Sequence, residues 1–211
     1  MTTETLIAFG AAAIFFVLLP SPLTALIARF TVQKGRSSAL VTLPGFSLGL
    51  AAAWTLAALP VAGIAFLLPG VLGALSWAGV AYLMLYVLWS FQDPTIRGAV
   101  ADNDNLPESA PVRIFAHFIS ASLGTPRYVL VMAAILLQFI SPATALQPTL
   151  MAMPAVLVLA AIIGAATHVA MPRRMLNRLK RKRTMGSASR KPGARFRARR
   201  AVSAGYRRIA A

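Results

Sequence analysis

The chain is 211 residues long, with 58% hydrophobic and 12% charged residues and a net charge of +16, and its mean hydropathy is +0.71. That composition excludes an ordinary soluble globular domain and places the chain among membrane proteins. With no cysteine and only His117 and His168 as imidazoles, disulfides, thiolate sites and cysteine nucleophiles are excluded, and neither a metal nor another cofactor is expected.

The charge is unevenly placed. Fifteen of the 21 Lys and Arg lie from Arg173 onward with no acid among them, leaving six basic and five acidic residues before that point. Residues 1–170 therefore read as an apolar helix bundle and residues 171–211 as a basic tail. The fold class expected is all-α, a polytopic integral membrane bundle. A bilayer core about 30 Å thick takes roughly 20 apolar residues per helix, and five segments qualify: residues 6–27, 40–59, 71–91, 114–140 and 150–170.

The first segment, "LIAFGAAAIFFVLLPSPLTALI", could pass for the apolar core of a signal peptide. The preceding "MTTET" has Glu4 and no Lys or Arg, whereas a secretory leader starts with positive charge, so a retained transmembrane helix is expected. Pro20 interrupts it, and Ser21 and Pro22 suit the cap and first-turn positions of a second helical piece. The second segment carries Gly45 and Gly49 at GxxxG spacing, and the third carries Gly73, Ala74, Ala78 and Gly79. Small residues let helices approach closely in lipid, so Gly45, Gly49 and Gly79 are assigned to helix packing. Trp54 and Trp77 are expected to be buried and Trp89 to lie at a membrane edge. Residues 92–113, "QDPTIRGAVADNDNLPESAPVR", read as a mobile surface loop.

The fourth segment has 27 residues, about 40 Å as one straight helix and longer than the core needs. Pro126 predicts a break near residue 125, with Thr125 as N-cap, Pro126 as the first helical residue and Arg127 projecting from the new N-terminus. His117 in this segment and His168 in the fifth are the side chains that titrate near neutrality. They are the candidates for proton coupling, beside the commoner reading of interfacial or hydrogen-bonded histidines.

Lys and Arg collect in the first connection (Arg29, Lys34, Arg36), the third (Arg97, Arg113) and the tail. Cytoplasmic loops retain such residues, so the N-terminus is expected outside and the C-terminus in the cytoplasm. The first and fourth segments then start on opposite sides of the membrane, and both are broken by proline. That is the relation of an inverted repeat of three helices, in which interrupted helices mark a substrate site near the midplane. A half-helix N-terminus joined to a guanidinium suits a carboxylate. Ser21, Pro22, Thr125, Pro126 and Arg127 are therefore the substrate-binding candidates. The plainer reading is that Pro126 only kinks the helix and Arg127 snorkels to the interface.

"LLPSPLTALIARFTVQKGRSSALVTLPGFSLGLA" resembles the N-terminal third of LysE-type translocators, "LSWAGVAYLMLYVLWSF" their third helix, and "FISASLGTPRYVLVMAAILLQFIS" their fourth. Pro20-Ser21-Pro22 stands where that family has Pro-Gly-Pro, and Thr125-Pro126-Arg127 where it typically has Asn-Pro-Lys. The resemblance covers roughly residues 4 to 170. It implies an exporter of amino acids in the bacterial inner membrane, driven by a proton gradient, and not an enzyme. Members commonly have a sixth helix, whereas "RFRARRAVSAGYRRIAA" is too short and too charged to span.

In the tail, "MPRRMLNRLKRKR" puts Met171, Met175, Leu176 and Leu179 on one helical face among basic residues, suited to an anionic membrane surface. The following "TMGSASRKPGARFRARRAVSAGYRR" reads as disordered. The partners implied are the lipid bilayer, a small amino-acid substrate and anionic lipid at the tail. Lipid ranks ahead of nucleic acid there, and a homo-oligomer is left open. The alternative function is a non-transporting membrane protein whose tail binds anionic lipid or recruits a cytoplasmic partner.

Overall fold

The structure is a computed structural model that describes residues 3–92, 110–140, 146–173 and 176. The loop expected within residues 92–113 falls largely outside these residues, as do residues 141–145 of the connection expected at 141–149, whose remainder is helix, and, Leu176 apart, the amphipathic and disordered stretches expected beyond Arg173. Seven α-helices are described: α1 (Thr3–Leu18), α2 (Pro22–Lys34), α3 (Ala39–Leu67), α4 (Leu72–Gln92), α5 (Pro111–Gly124), α6 (Pro126–Leu136) and α7 (Leu146–Ala170). Short 3-10 turns at residues 36–38 and 69–71 join α2 to α3 and α3 to α4.

Three of these helices are long and apolar enough to cross a membrane, and five spans result if each bent pair is one span. The pairs are α1 with α2 and α5 with α6, and each is bent by 67°. Pro22, Pro111 and Pro126 open their helices, where the missing N–H has no intrahelical partner to lose and the fixed φ is already helical. Pro44 and Pro60 lie inside α3 and Pro154 inside α7, as is tolerated in membrane helices. α3 differs from expectation in length. It continues past Leu59 through Pro60 to Leu67, because the run after Pro60 stays apolar and the backbone leaves the helix only at Leu68 (φ −137°, ψ 60°). Most of residues 60–70, which lie between the second and third apolar segments, is thus helix.

α3 is the central element, packed against α5, α6 and α7. The contacts are reciprocal between the two halves of the chain. The second span of the first half, α3, holds the broken pair α5–α6, while the second span of the second half, α7, holds the broken pair α1–α2.

Glycines make both approaches possible. A Cβ on Gly49 would lie 2.6 Å from Ser122 Oγ and 3.0 Å from the Phe118 carbonyl oxygen, and one on Gly45 would lie 3.1 Å from the Phe115 carbonyl oxygen. On the other side, a Cβ on Gly164 would lie 2.7 Å from Val17 Cγ1 and 3.7 Å from the Ile14 carbonyl oxygen. A shift of 104 residues, 126 minus 22, carries Pro22 onto Pro126 and also Ile14 onto Phe118. Gly49 and Gly164 therefore receive equivalent backbone positions of the two broken spans. Close backbone contact of this kind is how apolar helices associate in lipid, where there is no water to exclude.

α4 is peripheral and packs mainly on α6. A Cβ on Gly79 would lie 2.9 Å from Gln138 Nε2 and 3.3 Å from the Ala134 carbonyl oxygen. Ser76 Oγ donates to Gln138 Oε1 (3.1 Å), and Gln138 Nε2 donates to the carbonyls of Ser76 (3.0 Å) and Ala134 (3.1 Å). The expectation for Trp54 holds, with its side chain 3% exposed, but Trp77 is 76% exposed instead of buried. The Gly79 face of α4 meets α6, and Trp77 projects from a different face. Gln138→Leu should free α4 from α6 at a cost of about 1 kcal/mol per direct bond lost. A faster proteolysis or hydrogen exchange of residues 72–92 in detergent, with the α3–α5 region unchanged, is the expected readout.

Candidate functional site

The candidate site is built from the two breaks. Interrupting a helix leaves carbonyls on one side and N–H groups on the other without their usual partners, and the two breaks resolve this differently.

At the first break, Ser21 is the N-cap of α2 in extended conformation (φ −137°, ψ 162°). The Thr24 N–H donates to Ser21 Oγ (3.2 Å), and the Ser21 N–H donates to Thr24 Oγ1 (2.9 Å). This is a capping box with threonine in the place of the usual acid or amide. Thr24 Oγ1 also donates to the Ser21 carbonyl (3.1 Å). Ser21 and Thr24 are both buried. In an unbroken helix the Ser21 N–H would have gone to the Val17 carbonyl. That carbonyl instead lies 3.1 Å from Nε2 of His168, which reaches across from α7. Ser21→Ala removes the cap acceptor in a buried setting and should cost about 1–2 kcal/mol. A fall in the unfolding midpoint in mild detergent checks this, with Ser21→Thr close to the parent.

At the second break, Thr125 occupies the N-cap position (φ −104°, ψ 102°), but its side chain makes no cap bond to α6. Thr125 Oγ1 turns back and donates to the Ala121 carbonyl (2.8 Å), the position equivalent to Val17 under the 104-residue shift. Thr125 is thus the N-cap by position, as expected, but its hydroxyl satisfies the helix that ends, not the one that begins. The first turn of α6 tightens through the Tyr128 N–H to the Thr125 carbonyl (3.0 Å). Thr125 is half-buried, and Pro126 and Arg127 are exposed at this N-terminus.

The sequence candidates therefore divide. Ser21 and Pro22 belong to a closed, internally bonded break, with Ser21 buried and Pro22 partly so. Thr125, Pro126 and Arg127 form a break whose helix start has no side-chain cap. The packing between the two broken spans runs from α1 to α6 and from α2 to α5, with Phe30 of α2 6.1 Å from Phe118 of α5 between ring centroids. Of the two histidines, His168 is buried and bonded at the first break. His117 is half-buried on α5, edge-on to Phe118 at 6.4 Å.

Sequence reasoning passed over Tyr82. It lies on α4, one turn beyond Gly79. Because α4 runs antiparallel to α6, with Ser76 at Gln138 and Gly79 at Ala134, Tyr82 is carried toward the start of α6. The signal available was the helical spacing Gly79, Tyr82, Tyr86, one face of α4.

No protein-family model, curated protein or solved structure matches this chain.

Proposed function

We propose that the chain is an amino-acid exporter of the LysE type, a multi-pass protein of the bacterial inner membrane with its N-terminus outside and its C-terminus cytoplasmic. The observation that carries this reading is the pair of proline-broken spans, each bent by 67° and each packed on the second span of the opposite half. Inverted repeats with interrupted helices in matching positions are how many secondary transporters build a substrate site. The second break supplies the chemistry. The first-turn N–H groups of α6 lie at the positive end of the helix dipole, and Arg127 adds a guanidinium that accepts a carboxylate in a two-pronged geometry. Both features suit the carboxylate of an amino acid, and proton-driven export follows from the family resemblance.

The test is an efflux assay over a panel of amino acids in cells with and without the protein. At least one amino acid should leave faster when the chain is present. If none does, and the only phenotype is abolished by deleting residues 173–211, the protein is instead a membrane anchor for its basic tail.

A further inference from the structure

We propose that His168 is a positioning residue that locks the first break shut, as a hydrogen-bond donor standing in for the missing helix bond, and is not a proton carrier. A backbone carbonyl only accepts, so the 3.1 Å contact from His168 Nε2 to the Val17 carbonyl requires the proton on Nε2. Val17 needs that donor because Ser21, its partner in an unbroken helix, gives its N–H to Thr24. The imidazole is brought into reach by Gly164, one turn earlier on α7, whose missing side chain lets Val17 close in. His168 is 5% exposed, and a donor so buried holds its acceptor more firmly than one in water.

Comparison of the halves supports the assignment. Four residues beyond the packing glycines Gly164 and Gly49 stand His168 on α7 and Ala53 on α3. Alanine has no donor, and at the second break Thr125 meets the equivalent carbonyl of Ala121 from its own span. The carbonyl left over at the first break is thus tied across the two halves by a side chain, and the one at the second break is met by a hydroxyl of its own span. The lock rests on this geometry whether or not the chain exports.

The chain has no cysteine, so Leu19→Cys places a single thiol in the buried first break, where Leu19 is 6% exposed. Labelling by N-ethylmaleimide in membranes is then compared in three backgrounds. With His168 present the thiol should react slowly, and His168→Gln, which keeps an N–H donor near the Nε2 position, should leave it slow. His168→Leu should raise the rate about tenfold by letting the break open locally. Where His168→Leu does not insert, His168→Asn replaces it with the same expected rise, since its shorter amide falls short of Val17. Equal rates for the donor and non-donor variants would overturn the lock. In the efflux assay His168→Gln should keep export. Loss of export in His168→Gln with labelling still slow would make His168 a titrating group and overturn the proposal from the other side. If the parent chain exports nothing, the labelling arm alone decides.

Discussion

Arg127→Ala is expected to lower the initial rate of amino-acid efflux by about tenfold to a hundredfold at equal protein level. A hydrogen bond to a charged partner contributes about 1.5–3 kcal/mol, and each 1.4 kcal/mol is tenfold. Arg127→Lys keeps the charge and loses the two-pronged geometry, so it should fall between the parent and Arg127→Ala. Arg127→Gln keeps donors without the charge and should lie close to Arg127→Ala. This ordering separates a substrate-binding cation from a snorkelling one, because a snorkelling side chain acts on insertion and not on rate. Arg127 is exposed at the start of a helix without a side-chain cap, so Arg127→Ala leaves the packed core intact and its protein level should match the parent. Parent-like efflux in Arg127→Ala would remove the second break as the substrate site. A smaller loss in Tyr82→Phe, on the helix that packs against α6, would extend the site to α4.

Gly49→Ala should destabilise the bundle by about 1–3 kcal/mol, the range for overfilling a packed interior. The added methyl would stand 2.6 Å from Ser122 Oγ, 2.9 Å from Ser122 Cβ and 3.0 Å from the Phe118 carbonyl oxygen. The carbonyl is helix backbone and cannot swing aside, so α3 and α5 must separate. Ser122→Gly removes two of the three contacts, and the double variant should recover part of the loss, a coupling that a double-mutant cycle reads directly. Gly63→Ala, on the same helix with nothing within 4 Å, is the control and should leave the unfolding midpoint in mild detergent unchanged. A Gly49→Ala midpoint equal to that of Gly63→Ala would mean that the α3–α5 seam does not hold the fold.

The amino-acid sequence alone determined the apolar segments, both proline breaks and the seams at Gly45, Gly49 and Gly79, though not the one at Gly164. These follow from local causes: a proline removes a donor and suits the first turn of a helix, and a run of about 20 apolar residues has one way to satisfy its backbone in lipid. Gly45, Gly49 and Gly79 were legible for the same reason, since their spacing places them on helix faces before any partner is known. The end of α3 was not legible, because Pro60 reads as a stop and only the surrounding apolar run carries the helix past it.

The tertiary structure decided which helix each seam meets, and with it the difference between the two breaks. Ser21 and Thr125 look alike in the chain, each before a proline at a helix start. Ser21 turns forward to cap α2 because His168, 151 residues from Val17, satisfies the carbonyl behind it. Thr125 has only Ala53 at the corresponding place on the facing helix, so its hydroxyl turns back. The same holds for Trp77, whose exposure follows from α4 meeting its neighbours mainly through the Gly79 face. A hydroxyl rotates to whichever partner is left over, and what is left over depends on residues that only folding brings near.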